Sequence, residues 1–281
     1  MIVVIILVAA MIATAVVSVI VCAVSIKTTE YEVPVSGIKG QLKIVCISDL
    51  HSWEYGKENR KLVGAIAAQK PDAIIIAGDM ITRRASEKQV EKFIRLLNKL
   101  MEFATVYYAT GNHEADYMAE KGISLLERVS ATGAVALYDR FVDADIKGIG
   151  VRIGAAAGRY LDGSERDKVT LNMLREIGNT ETPSIAVVHQ PENILMQDDR
   201  CNWTADLYLC GHTHGGIWCI PGVGGVLAPS QGLFPKYDKG RFMIDNAMQI
   251  IINAGLAGYY FIPRMFNKPE ICSVILTEKA P

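Results

Sequence analysis

The sequence predicts an α/β fold that follows one N-terminal transmembrane helix. Three observations predict it: an uncharged apolar segment opens the chain, short apolar runs bounded by turn residues recur after it, and segments with helical spacing lie between several of those runs. Hydrophobic residues make up 50% of the 281 residues and charged residues 21%. This composition excludes an intrinsically disordered chain, which needs low hydrophobicity and high net charge.

The first charged side chain is Lys27, and before it only Thr14, Ser18 and Ser25 are polar. Residues 1–26 therefore form an apolar segment that is longer than the minimum of about 20 residues needed to cross a bilayer. A cleaved signal peptide needs a basic start and a shorter apolar core of about 7–15 residues. The segment has neither, so we expect residues 1–26 to be a retained, single-pass transmembrane anchor.

Five apolar runs have the length and the Val, Ile or Tyr content of strands buried on both faces. These runs are Leu42–Ser48, Ala73–Ala77, Thr105–Ala109, Ile185–His189 and Leu207–Cys210. Between them, helical spacing predicts helices over Lys57–Gln69, over Ser86–Met101 with Ser86 as N-cap, and over Glu114–Thr132. The alternation of strands and helices indicates helices that cover a sheet.

The remaining organisation is simple. Residues 27–41, with Pro34, Gly37 and Gly40, are expected to form a connector, and residues 42–281 a single catalytic domain.

The 29 basic and 30 acidic residues give a net charge of -1, which argues against a nucleic-acid partner. The six cysteines form no CxxC pair, so they indicate neither a zinc knuckle nor an obvious disulfide framework.

All five histidines of the chain follow the ends of predicted strands. In chain order, the segments that follow the strands are Asp49-Leu50-His51, Gly78-Asp79, Gly111-Asn112-His113-Glu114, His189-Gln190, and Gly211-His212-Thr213-His214-Gly215-Gly216. Ligands of open α/β sheets bind beyond the carboxyl ends of the strands, so these side chains should converge at one edge. Each segment alone is common in turns and helix caps, but Asp, Asn and His together suit Mn²⁺, Fe or Zn²⁺.

In this order the motifs resemble those of the calcineurin-like metallophosphoesterase superfamily: D-x-H, G-D, G-N-H-[ED], H and G-H-x-H. More narrowly, the chain resembles the bacterial membrane-anchored branch related to UDP-diacylglucosamine pyrophosphate hydrolases and cell-envelope phosphodiesterases. The segments that carry this likeness are Gly211–Gly216, Pro229–Tyr237 and Pro263–Ile271, with Ile217 where Gln is usual. The resemblance covers about residues 36–278.

The resemblance implies a four-layer α/β/β/α sandwich with two divalent metal ions (Mn, Zn or Fe) at the edge of the sheets. It assigns one metal to Asp49, His51 and His214, the other to Asn112, His189 and His212, with Asp79 as the bridge between them. Two close cations need a shared anion, which a carboxylate supplies. His113 then becomes the catalytic histidine that binds no metal.

The implied activity is hydrolysis of a phosphodiester or pyrophosphate bond by a metal-activated water, on a lipid- or envelope-associated substrate. Arg264 is a candidate substrate ligand, because Arg binds phosphate through two donors; the alternatives are a loop clasp or a surface ion pair. Two other functions stay open: a phosphodiesterase for soluble nucleotides that the anchor merely localises, and a metal-stabilised binding module without catalysis.

The membrane side of the domain and the oligomeric state also stay open. Lys27, Lys39 and Lys43 follow the span while no charged side chain precedes it, which favours a cytoplasmic domain. Several members of the related branch, however, act outside the cytoplasm. The metal ion and the preference for monoesters or diesters depend on availability and on loops that sequence reasoning does not place.

Overall fold

A computed structural model describes residues 1–122, 124–165, 167–196, 203–244, 248–259 and 262–279. The first half of the chain folds into five helices and five strands among these residues. In order they are α1 (Ile2–Val24), β1 (Lys27–Val35), β2 (Gln41–Ile47), α2 (Arg60–Ala67), β3 (Ala73–Ala77), α3 (Glu87–Met101), β4 (Thr105–Ala109), α4 (Asn112–Lys121), α5 (Ser124–Ser130) and β5 (Val135–Leu137).

The second half is richer in strands, several of them only two residues long. Its described elements are β6 (Arg140–Ile146), β7 (Ile149–Ala155), α6 (Asp167–Glu176), β8 (Ser184–Val187), α7 (Glu192–Leu195), β9 (Leu207–Cys210), β10 (Cys219–Ile220), β11 (Gly224–Gly225), β12 (Leu227–Ala228), β13 (Gly232–Leu233), β14 (Gly240–Ile244), β15 (Met248–Ile252) and β16 (Glu270–Glu278).

Two six-stranded sheets face each other, with strand orders β1-β16-β2-β3-β4-β5 and β14-β15-β9-β8-β7-β6. Ile44 and Ile75 of the first sheet and Ile153 and Ile185 of the second lie in the apolar core between them. The outer face of the first sheet packs against α2, α3 and α5. The outer face of the second sheet packs against α6 and α7. The predicted α/β fold with four layers is therefore confirmed.

The apolar N-terminal segment forms α1, a 23-residue helix without a charged side chain. By length and composition it can cross a membrane, and its most apolar part lies outside the protein interior. Its C-terminal third contacts the domain: Ser18 Oγ accepts a hydrogen bond from the backbone N–H of Phe266 at 2.6 Å. Cys22 on the same face is buried.

The segment expected to be a connector is largely a strand. All nine residues of β1 pair in parallel with β16, and Gln249 on the second sheet donates a hydrogen bond to Pro34 O. The sequence reading missed this strand because it has charged and half-exposed residues instead of a continuous apolar run. Pro34 is tolerated there because β1 is an edge strand. Residues 27–35 are therefore part of the first sheet.

Two predicted helices are shorter than expected. The helix predicted over Glu114–Thr132 is divided into α4 and α5, because Gly122 takes a φ of 88° that ends α4. The helix predicted from Lys57 begins with a short 3₁₀ turn, since Glu58 and Asn59 have φ values of 54° and 59°. The predicted N-cap of α3 is present, where the Ser86 N–H donates to Gln89 Oε1 at 2.8 Å.

Candidate metal centre

Eight polar side chains from five loops meet at one edge of the sandwich. They follow the carboxyl ends of β2, β3 and β4 in the first sheet and of β8 and β9 in the second. All eight come from the motifs predicted to converge there: Asp49, His51, Asp79, Asn112, His113, His189, His212 and His214. Parallel neighbours end at the same edge, so the topology turns five distant segments into one cluster.

Backbone strain is concentrated in this cluster. Non-glycine residues rarely take positive φ values, and such residues gather where the surrounding structure holds them for a function. Five members of the cluster do so: Asp49 (52°), His51 (46°), Asp79 (55°), His212 (69°) and His214 (51°). Their side chains thereby leave the ends of the strands toward a common centre instead of continuing the strand direction.

The donor atoms fall into three overlapping groups, one of which consists of His51, Asp79 and His113. Asp49, His51 and His214 form one group, and Asp79, His189 and His212 another, each with ligand atoms within 4.8 Å of one another. The groups are adjacent, because His51 Nε2 lies 3.7 Å from Asp79 Oδ2. Asp79 Oδ2 lies 3.3 Å from His189 Nε2, so this carboxylate is close to donors of both groups.

These residues fit divalent cations. Among the described residues, the buried atoms His189 Nε2 and Asn112 Oδ1 accept and donate no hydrogen bond. His189 Nδ1 donates to Ala77 O at 2.7 Å and His214 Nδ1 to Ala257 O at 3.2 Å, so in the neutral ring each Nε2 has a lone pair. The Nε2 atoms of His51 and His214 are 3.3 Å apart, a close approach that a shared cation would stabilise.

The pKa shifts of the buried groups in the cluster also bear on whether the site fits divalent cations. Burial lowers the pKa of His51 and of His214 to about 3, so both rings are neutral and ready to act as ligands. Burial alone would raise the pKa of Asp79, but the positive charge of His189 holds it well below its usual range. Burial alone would lower the pKa of His189, but Asp79 raises it to about 10. Burial raises the pKa of Asp49, which lacks comparable compensation. Buried carboxylates of this kind are stabilised by bound cations.

His113 has the opposite proton arrangement to His189 and His214. Its Nδ1 accepts a hydrogen bond from the backbone N–H of Arg83 at 3.2 Å, so in the neutral ring Nε2 carries the proton. This Nε2 lies 4.0 Å from Asp79 Oδ2, inside the cluster. A ring that presents N–H cannot coordinate a metal through that atom, but it can donate a hydrogen bond to an anionic oxygen.

Glu114 is a positioning residue that the sequence reading treated only as the last residue of a motif. It is completely buried, and its carboxylate accepts from the backbone N–H groups of Asp79, Met80 and Ile81 at 2.6–3.0 Å. It also accepts from Gly111 N–H at 2.8 Å. One carboxylate thus holds the loops after β3 and β4 together, and it fixes the backbone of Asp79.

The close approach of the loops after β3 and β4 requires glycine at positions 78 and 111. A Cβ atom at Gly111 would lie 2.1 Å from Asp79 Oδ1, and one at Gly78 would lie 2.5 Å from Gly111 N. Backbone atoms cannot move away without displacing the carboxylate, so neither position has room for a side chain. The two loops therefore approach closely enough for His113 N–H to donate to Asp79 Oδ1 at 2.8 Å.

Five members of the cluster line a small polar cavity of about 150 Å³, here called the metal pocket: Asp79, Asn112, His113, His212 and His214. Its outer wall comes from loops that sequence reasoning did not place. Tyr160, Ser230 and Tyr259 line it, and Tyr160 OH lies 2.5 Å from His212 Nε2. Ser230 belongs to the Pro229–Tyr237 segment that carries the resemblance, whereas Tyr160 and Tyr259 reach the pocket through the packing of two other loops.

Arg264 lies buried beneath the cluster rather than at the rim of the pocket. Its guanidinium donates to three backbone carbonyls, those of Ala254, Ala257 and His214, at 2.5–3.1 Å. Asn267 Nδ2 donates to His214 O as well, at 2.8 Å. These contacts favour the loop-clasp alternative for Arg264 over direct binding of substrate phosphate.

The family model described as "Calcineurin-like phosphoesterase" matches residues 42–216, which include every member of the cluster. The chain belongs to the calcineurin-like phosphoesterase family. The predicted class, a metal-dependent phosphoester hydrolase, is thus confirmed at the level of the family. Members of this family use two metal ions, and a phosphoester is the implied substrate.

Individual relatives agree with this assignment. A Campylobacter jejuni protein named "Uncharacterized metallophosphoesterase Cj0846" is 33% identical over 196 residues, 68% of this chain and 48% of that protein. Escherichia coli "Phosphodiesterase YaeI" is 28% identical over 193 residues, 66% of each chain. The chain thus spans about half to two thirds of the length of these two relatives.

A solved structure supports the fold alone. The protein TT1561 of Thermus thermophilus superimposes with a TM-score of 0.51 at 13% sequence identity, covering 76% of this chain and 90% of that one. The finer likeness to the UDP-diacylglucosamine hydrolase branch is a matter of proposal, since none of these relatives carries that description.

Proposed function

We propose that this protein is a membrane-anchored, dinuclear-metal phosphoesterase that hydrolyses a phosphodiester or pyrophosphate bond. The single observation that carries the proposal is the pair of donor groups around Asp79, Asp49-His51-His214 and Asp79-His189-His212. Asn112 Oδ1, buried without a partner among the described residues, adds a donor to the second group. When bound, two divalent ions would supply an activated water nucleophile and neutralise charge that develops on the phosphoryl oxygens.

Residues other than the metal ligands also contribute to the proposed reaction. His113 presents its Nε2–H to the pocket, where it donates a hydrogen bond to a phosphoryl oxygen or to the oxygen of the leaving group. Asp79 is held in place by Glu114 through the backbone of its own loop. Tyr160 and Ser230 add hydroxyl groups at the pocket rim, where they can orient the second substituent of a diester.

The choice of a lipid- or envelope-associated substrate rests on α1. Its 23 residues, all apolar except Thr14 and Ser18, suffice for a membrane span, and its C-terminal third contacts the catalytic domain through the Ser18–Phe266 hydrogen bond. A short link of this kind holds the metal pocket close to the membrane surface. The name of the E. coli relative, a phosphodiesterase, favours a diester over a monoester.

The test uses the full chain in lipid nanodiscs, stripped with a chelator and reloaded with Mn²⁺ or Zn²⁺. Bis-p-nitrophenyl phosphate is assayed beside p-nitrophenyl phosphate, and cyclic nucleotides beside a phospholipid. We expect metal-dependent cleavage of the diester and of the lipid. Preference for cyclic nucleotides over the lipid would favour the soluble-nucleotide function. Two bound metals without cleavage of any of these compounds would favour the non-catalytic binding module.

A further inference from the structure

A second cavity opens next to the metal pocket, and α1 forms one of its walls. It has a volume of about 340 Å³ and is here called the apolar groove. Its walls are formed mainly by apolar side chains of two segments: Val19, Cys22 and Ala23 of α1, and Leu256, Ala257, Gly258, Ile262 and Pro263 of the loop after β15.

The inner end of the groove lies at the metal centre. His51 and His113 line the groove, and His113 also lines the metal pocket. A molecule in the groove therefore has one end beside the side chains that we assign to phosphate chemistry. Tyr259 and Arg264 also line the groove, and the remaining lining residues are apolar or, like Trp53, largely so. The part of the molecule that contacts these apolar residues gains from burial if it is a hydrocarbon.

The outer part of the groove lies at the level where α1 would leave the bilayer. Val19 and Ala23 belong to the last two turns of the helix, within about 8 Å of its end at Val24. Trp53 lines the groove and is 50% exposed, as is common for tryptophan at a membrane interface. The hydrocarbon that reaches this position without crossing water is the acyl chain of a membrane lipid.

We propose that the apolar groove holds one hydrocarbon chain of a membrane lipid while the phosphate of that lipid occupies the metal pocket. The anchor helix is then part of the substrate-binding site and not only a tether. A volume near the lower end of the range for small-molecule pockets fits a single chain. This inference rests on the proposed function, because it names the substrate class of the same site.

The face of α1 provides a matched pair of variants. Val19 faces the domain and lines the groove, whereas the adjacent Ile20 is 58% exposed and points away from it. Val19→Trp fills the groove, and Ile20→Trp places the same side chain in the lipid. Ala23→Leu is a milder filling variant if the Val19 substitution prevents folding.

The first experiment uses the metal-loaded full chain in nanodiscs and a series of alkyl p-nitrophenyl phosphodiesters from ethyl to octyl. The scissile bond is constant, and each methylene that enters the groove raises kcat/KM by up to about fourfold. We expect a rise of at least about tenfold from ethyl to octyl in the wild type and in Ile20→Trp, and little rise in Val19→Trp. Membrane partitioning affects both variants equally, so an equal rise in the two would overturn the proposal.

The second experiment separates this inference from the proposed activity. The chelated full chain, which cannot turn over, is placed in nanodiscs with a trace of dodecyl phosphate bearing a terminal diazirine. After irradiation we expect labels on Leu256 or Ile262 that Val19→Trp abolishes and Ile20→Trp keeps. Labels confined to the exposed face of α1 would overturn the groove. If these labels appear but the loaded enzyme cleaves no ester, the groove stands and the proposed function fails.

Discussion

His113 lines both the metal pocket and the apolar groove, but the pocket is lined mainly by polar side chains and the groove mainly by apolar ones. The pocket is lined mainly by carboxylate, amide, hydroxyl and imidazole groups, and it has about 150 Å³ of space. The groove contains aliphatic walls from a helix and a loop, and it has about 340 Å³. This difference fits our proposal that the pocket binds the phosphate of the substrate and the groove binds the hydrocarbon chain attached to it.

The two regions also differ in rigidity. The pocket is held by buried hydrogen bonds to the backbone, of which Glu114 alone accepts four. The groove depends on the packing of α1 against the domain, for which the Ser18–Phe266 hydrogen bond is an exposed link. Substitutions in the pocket should therefore change chemistry or stability, while substitutions in the groove should change the choice of substrate.

The largest effect is expected for Asp79→Asn. Asp79 Oδ2 is within 4.0 Å of His51, His113 and His189, so the loss of its charge removes an anion that both donor groups share. We expect fewer than two metals per chain by elemental analysis and an activity loss of roughly 10³-fold or more. Asp116→Asn, an exposed acid of α4, is the control. Two retained metals in Asp79→Asn would contradict the bridging role.

His113→Ala should separate chemistry from metal binding. The side chain presents N–H and no lone pair to the pocket, so its removal should leave two metals and lower kcat by about 10²–10⁴-fold. Elemental analysis and turnover of bis-p-nitrophenyl phosphate check this. The matched comparison is His189→Ala, which should lose metal. Full turnover in His113→Ala would refute the catalytic assignment.

Glu114→Gln tests whether Glu114 positions the loops that carry the residues of the metal pocket. The amide can accept at only one atom, so at least one buried N–H of the loops after β3 and β4 loses its partner. We expect the free energy of unfolding to fall by about 1–3 kcal/mol and metal affinity to fall 10–100-fold, roughly the cost of losing a supporting residue. Denaturant unfolding and metal titration measure these changes. Glu120→Gln, exposed on α4, should change neither.

The smallest effect on chemistry is expected for Arg264→Lys, at the boundary between pocket and groove. Lysine cannot reach the three carbonyls that the guanidinium joins, so we expect about 1–3 kcal/mol less stability with both metals retained. Arg60→Lys, exposed on α2, is the control. A higher KM at unchanged thermal stability would instead indicate that Arg264 binds substrate phosphate directly.

Much of the metal pocket could be predicted because each of its motifs is local. Asp49-x-His51 and His212-x-His214 each come from one short segment after an apolar strand, and parallel strands end at a common edge. The role of Glu114 was less accessible, since a glutamate after Asn-His also fits an ordinary helix cap. The proton positions of His113 and His189 depend on Arg83 N–H and Ala77 O, amide and carbonyl groups that only the folded chain supplies.

Periodicity and short motifs were enough to predict the α/β class, the apolar helix at the start and the eight polar residues at the sheet edge. Three features could be found only in the folded chain: Lys27–Val35 is an edge strand, Arg264 binds backbone carbonyls, and α1 forms a wall beside the metal pocket. These features join segments that are far apart in the sequence. Val19 and Ile262 line the same groove because distant segments pack together, and no local pattern in the sequence encodes that packing.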